Sequence, residues 1–158
     1  MKNIKYIVAS FLLASSAFAD EAVKILVPAI LPSDTPIAAA VKKECAVPEK
    51  IGESIYLAVK QSFKNAEKVS SAESTDGYLV KSTLLNVYGA GGGGWSGSKA
   101  VSMRIEILKG GAVVKSTVLQ RGSTGGVFGG LSGTCKIMER IEKALGNDSA
   151  KWLKENIQ

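Results

Sequence analysis

In the stretch from Val101 to Leu108, Val101, Met103, Ile105 and Ile107 alternate with Ser102, Arg104, Glu106 and Leu108. A period of two predicts a half-buried strand. Gly110-Gly111 supplies a two-residue hairpin turn, and a return strand follows to Arg121. Counting out from the turn sets Lys109 opposite Ala112, Ile107 opposite Val114, Ile105 opposite Ser116 and Met103 opposite Val118. Those pairs make the expected core face, with Ser116 its polar exception. On the other face Glu106 is expected opposite Lys115 and Arg104 opposite Thr117, and a cross-strand Glu–Lys pair is favourable by some tenths of a kcal/mol. A slip of one residue would carry charges into the core, so the hairpin from Ser98 to Arg121 is strongly specified.

The remaining elements follow from the same patterns. Val23 to Val27 reads as a first strand and runs into a segment, 28–36, in which Pro28, Pro32 and Pro36 forbid regular structure. Ile37 to Lys43 is either extended or a short helix. From Pro48 to Lys64, Ile51, Ile55, Ala58, Val59 and Phe63 recur at helical spacing, with Pro48 and Glu49 suited to the first turn. Glu67 to Glu73 and Tyr78 to Tyr88 are expected strands. Glycine-rich loops fill 89–98 and 122–133. A helix from Thr134 to Leu145 carries the stripe Ile137, Met138, Ile141, Ala144 and Leu145, with Gly146 as its closing C′ glycine. Asn147 or Asp148 then caps a last short helix holding Trp152, Leu153 and Ile157. This order predicts an α+β domain: a mainly antiparallel sheet of four or five strands with two or three helices on one face.

The first nineteen residues read differently. Lys2 and Lys5 precede a short apolar run, Tyr6 to Leu13, and Ala17-Phe18-Ala19 is an A-x-A site followed by Asp20-Glu21. This is the pattern of a secretory signal peptide cleaved after Ala19. Removing it from 158 residues leaves 139, the size of one domain, spanning 20–158. The apolar run is too short to cross a bilayer, and no later one reaches about 18 residues. No cysteine stands where a lipoprotein would be acylated. The expectation is an exported, periplasmic or secreted protein without a transmembrane anchor.

Export changes the meaning of the two cysteines. Cys45 and Cys135 are expected to form a disulfide in an oxidising compartment. Closing a loop of about ninety residues is worth at most roughly 4–5 kcal/mol in the chain-entropy model. Setting aside the two signal lysines leaves 18 basic and 14 acidic residues. The basic residues are scattered rather than gathered in a patch, which argues against nucleic acid as a partner.

Candidate chemistry is sparse. The chain has no histidine, so no Ser-His-Asp or Cys-His pair can be built and an ordinary zinc site is disfavoured. Gly89 to Gly94 satisfies G-x-G-x-x-G, but a strand rather than a helix is expected after it, so no dinucleotide cofactor is implied. Ser96-Gly97-Ser98-Lys99 matches S-x-x-K, the nucleophile motif of penicillin-binding enzymes, yet it sits in a glycine loop and its partner motifs are missing. No cofactor, metal site or catalytic residue is assigned. One feature stands out. Each glycine-rich loop holds a large aromatic, Trp95 in one and Phe128 in the other, with Lys99 and Arg121 nearby. Glycine costs conformational entropy, and an aromatic on such a loop suits a binding anchor. These four residues form the candidate binding surface; the alternative is that Trp95 tucks into the core and the glycines let backbones approach closely.

Several residues together carry a resemblance: Val27-Pro28-Ala29, Glu44-Cys45 with Val47-Pro48, the run from Gly92 to Lys99, Gly133-Thr134-Cys135, Arg140, and Ala144-Leu145-Gly146 with Asp148 and Trp152-Leu153. The mature chain resembles a group of exported proteobacterial proteins of unassigned activity. Its layout is loosely similar to small α/β modules of envelope proteins, such as the N-terminal domain of TolB and curli-secretion-type lipoproteins. That likeness implies assembly or docking rather than catalysis. The function expected is non-catalytic binding of another envelope component: a protein, peptidoglycan or a lipid headgroup. The alternatives are a small serine/lysine hydrolase and a module that touches a membrane surface.

Overall fold

A computed structural model describes residues 21–73, 76–89, 97–124 and 132–157. The segment expected to be a signal peptide, and Trp95, Ser96 and Phe128, lie outside the described residues. Eight elements follow in order: β1 (Val23–Leu26), α1 (Ala39–Glu44), α2 (Val47–Lys60), β2 (Ala66–Val69), β3 (Tyr78–Tyr88), β4 (Lys99–Lys109), β5 (Ala112–Ser123) and α3 (Thr134–Asn156). The strands form one mixed sheet in the order β2-β1-β3-β4-β5. The fold is α+β, with a five-stranded sheet, three helices and one disulfide among the described residues.

The long pairs β3–β4 and β4–β5 are antiparallel, as the hairpin pattern requires. The short pairs that flank β1 are parallel. A parallel pair needs a crossover, and α2 supplies it between β1 and β2. After β1 the proline-bearing segment stays beside β3. The Ile30 amide donates to Ser82 O at 2.8 Å, the Leu84 amide to Ile30 O at 2.8 Å and the Val87 amide to Pro36 O at 2.9 Å. Proline prevents a continuous ladder there, but the edge of β3 is still satisfied at intervals.

One face of the sheet packs under the helices. Val101, Met103, Ile105 and Ile107 of β4 and Val80 and Leu84 of β3 are buried against Ile51, Ile55 and Val59 of α2 and Met138, Ile141, Leu145 and Leu153 of α3. The alternate positions of β4, Ser102, Arg104 and Glu106, occupy the opposite, open face. Cys45, just after α1, is joined to Cys135 in the first turn of α3, with Cα atoms 5.0 Å apart and 90 residues between them in sequence.

Two sequence expectations need correction. The hairpin turns at Gly110-Gly111, both with positive φ as a type I′ turn demands, and Lys109 pairs with Ala112. Beyond Leu108–Val113, however, the register shifts by one residue. Val114 is accommodated as a bulge, so Ile107 meets Lys115, Ile105 meets Thr117 and Met103 meets Leu119. Glu106 therefore faces Ser116 rather than Lys115, and Arg104 faces Val118 rather than Thr117. Glu106 instead pairs with Lys81 of β3 at 3.0 Å, a partly shielded ion pair on the open face. Second, Gly146 does not end a helix: α3 runs without a break from Thr134 to Asn156. A Cβ at Gly146 would lie 2.5 Å from Ser54 O, so glycine is what lets α2 and α3 approach. Close packing, rather than termination, explains the residue.

Candidate functional site

The three long strands reach one end of the sheet where both glycine-rich segments leave it. β3 ends at Tyr88, β4 begins at Lys99, and β5 ends at Ser123 beside Lys99. The sequence pattern alternates along β4 so that Lys99 falls in line with Val101 and Met103 on the helix-facing side. Its side chain is wholly buried. The ammonium donates to Gly97 O at 2.9 Å, and the aliphatic stem passes Gly89 so closely that a Cβ there would lie 2.2 Å from Lys99 Cδ. Gly89 also has φ +130°, a conformation that other residues avoid. Burying an ammonium is costly unless it is hydrogen-bonded. Here the cost is offset by bonding to backbone at the start of β4. Lys99 thus ties down the strand end from which residues 90–96 depart.

Arg121 occupies the same side one strand over, opposite Val101. Its Nε and Nη2 donate to the two carboxylate oxygens of Asp148 at 2.5 and 2.7 Å. The hydrogen bonds to Asp148, and then its charge, raise the guanidinium pKa further. This two-pronged pair fixes β5 to the middle of α3 just before residues 125–131. Of the four candidate binding residues, Lys99 and Arg121 are therefore found together at the loop end, each holding a strand. Trp95 and Phe128 fall on the segments between those strand ends. A hollow of about 500 Å³ lies there, lined by Ser98, Lys99, Ala100, Gly122, Ser123 and Thr124. Lys99 opens a strand rather than a helix, which is not the setting that S-x-x-K chemistry uses. Among the described residues no group of three Cys, Asp or Glu side chains could hold a metal ion. No helix among them is long and apolar enough to cross a membrane.

A second hollow opens on the other face of the same end. It measures about 350 Å³ and is lined by Asn86, Tyr88, Ala100, Ser102 and Gln120. Sequence reading did not single out these residues. The signal was present as the polar half of the strand alternation, which a pattern search treats as solvated surface. Glu142 was missed too. It stands between Met138 and Leu145 at their helical spacing, so it falls inside the apolar stripe of α3, and it is 1 % exposed. Desolvation raises its carboxyl to about 7. Glu139 adds to the rise, while Lys50 and Lys143 oppose it. Its Oε1 has no hydrogen-bond partner among the described residues.

These features define a class: a disulfide-linked α+β domain whose mixed sheet is covered by helices on one face and bears two hollows at one end. Solved structures share the fold. PelC from Paraburkholderia phytofirmans, crystallised as a dodecamer, superposes with a TM-score of 0.56 at 15% identity, covering 84% of this chain and 86% of that one. A Xanthomonas campestris protein of family DUF330 superposes with 0.54 at 12% identity, covering 84% and 83%. A hypothetical protein of Chlamydia trachomatis does so with 0.54 at 10% identity, covering 85% and 97%. At these identities the likeness is one of fold. No protein-family model and no curated protein matches the sequence.

Proposed function

We propose that residues 1–19 export this protein and that the mature domain, 20–158, is a non-catalytic docking module of the cell envelope. Its contact surface is the loop end of the sheet. Trp95 and Phe128 serve as anchors, while Lys99 and Arg121 position the strand ends that carry them. The observation that supports this most is the buried Lys99, whose ammonium donates to Gly97 O. A rigid base beneath two glycine-rich segments is how a scaffold presents binding residues. The expected partner is an envelope protein, peptidoglycan or a lipid headgroup.

The test compares mature protein with a Trp95→Ala, Phe128→Ala double variant. Retention is measured on isolated peptidoglycan sacculi, on anionic vesicles and on crosslinked envelope protein. Loss of retention by a variant that melts at the wild-type temperature supports the proposal. Equal retention by both proteins, or a large fall in melting temperature without a change in retention, overturns it.

A second reading, self-assembly, is favoured by β5. This twelve-residue strand is the outer edge of the sheet and exposes Val113, Val114 and Val118. Long exposed edges are templates for pairing with another chain. The PelC structure of the same fold is a dodecamer. Sedimentation equilibrium decides between an assembly and a monomer.

A further inference from the structure

We infer that the open face of the sheet, at the same end, holds a subsite for one uncharged sugar ring of a glycan. The inference rests on the docking reading and names the chemistry of the component docked. It starts from register. Asn86 pairs with Ser102, and Ser102 with Gln120, so amide, hydroxyl and amide stand in one row across three strands. The next row is Tyr88, Ala100 and Gly122. Residues directly opposite share a face, and Ala100 and Ser102 flank the buried Val101, so both rows point away from the helices. A large aromatic beside the small Ala100 leaves the hollow of about 350 Å³, near the lower end of the range for small-molecule sites.

The lining is suited to a sugar in three respects. First, Tyr88 is 61 % exposed, which leaves much of an amphipathic aromatic open to solvent. The C–H face of a pyranose is apolar and packs on an aromatic, while its hydroxyl rim needs donors and acceptors. Second, Asn86, Ser102 and Gln120 supply both, and with the Tyr88 hydroxyl they make no side-chain hydrogen bond to other described residues. Third, the five lining residues carry no charge. On the same face Lys81 pairs with Glu106, and Arg104 stands one row further along β4, outside the lining. A site for a phosphate or carboxylate ligand would need a cation in its lining, and none of these five residues is one.

The test is calorimetric titration of the mature, disulfide-bonded protein with two neutral oligosaccharides, an N-acetylglucosamine tetramer and a maltotetraose. Saturable binding of either supports the subsite, and the arm that saturates separates a peptidoglycan-like glycan from a plain glucan. Tyr88→Ala is expected to weaken that binding tenfold or more. Ala100→Leu, which fills the hollow, is expected to abolish it. Both positions are on the open face, so both variants should melt like the wild type. The Trp95→Ala, Phe128→Ala variant should bind the oligosaccharide normally, which separates this subsite from the loop anchors. If the wild type binds neither sugar, or if Tyr88→Ala and Ala100→Leu leave binding unchanged, the subsite is overturned. The docking reading then stands or falls on its own retention assay.

Discussion

Replacing Glu142 with glutamine should change how the stability of this protein depends on pH. The carboxyl is buried between α2 and α3, and burial lifts it to about 7 from an ordinary 4.5. The raised value means that the folded state favours the protonated, neutral form. Between those two pH values the folded protein holds one proton more than the unfolded chain, so stability falls as pH rises through the window. The effect is absent below about 4.5 and complete above about 7. At 1.36 kcal/mol per unit, the gap corresponds to a penalty on the order of 3 kcal/mol at pH 8. That is a large share of a typical domain's stability. Glutamine keeps the shape and cannot ionise. Its amide is still buried, so the variant is not expected to gain the whole penalty, but it should lose the slope. Two features make the assay clean. The chain has no histidine, and Glu139 is held near 2 by hydrogen bonds from Lys143 and Lys136, so neither contributes between pH 5 and 8. Urea denaturation at pH 5, 6, 7 and 8 reads the result. The wild-type midpoint should fall with pH while that of Glu142→Gln stays nearly flat. Parallel profiles for the two proteins would refute the reasoning.

Two further predictions concern packing and the covalent link. Gly146→Ala should destabilise the protein by about 1–3 kcal/mol in urea, because the new methyl meets the Ser54 carbonyl and overpacking outweighs the roughly 1 kcal/mol gain in helix propensity. A stabilised variant would mean that the two helices separate freely. Reduction of Cys45–Cys135, or its replacement by two serines, should lower stability by at most about 4–5 kcal/mol, with the loss seen in a thermal melt with and without reductant. An unchanged melting temperature would show that the link does not restrain the unfolded chain.

Much of the fold is local in origin, and that part was legible. The alternation along Val101 to Ile107, the Gly110-Gly111 turn and the stripe Ile51, Ile55, Val59 each specify an element from neighbours in sequence, because side-chain period follows backbone geometry. The disulfide was legible as well, since a chain with two cysteines has one pairing available. The tertiary structure decided what depends on distant partners. Whether Gly146 ends a helix or admits a neighbour is settled by Ser54, ninety-two positions earlier. The bulge at Val114 shifts Glu106 from its expected partner Lys115, and Lys81 of the next strand takes the charge. Lys99 looks like surface in a sequence, and only the end of the core above Gly89 and Gly97 buries it. The neutral row Asn86–Ser102–Gln120 comes from three separate strands and exists only once their register is set. Sequence by itself determined most of the elements and the link between Cys45 and Cys135. Tertiary structure decided which polar groups are enclosed and which face outward, because burial belongs to the packed assembly and not to any single stretch of chain.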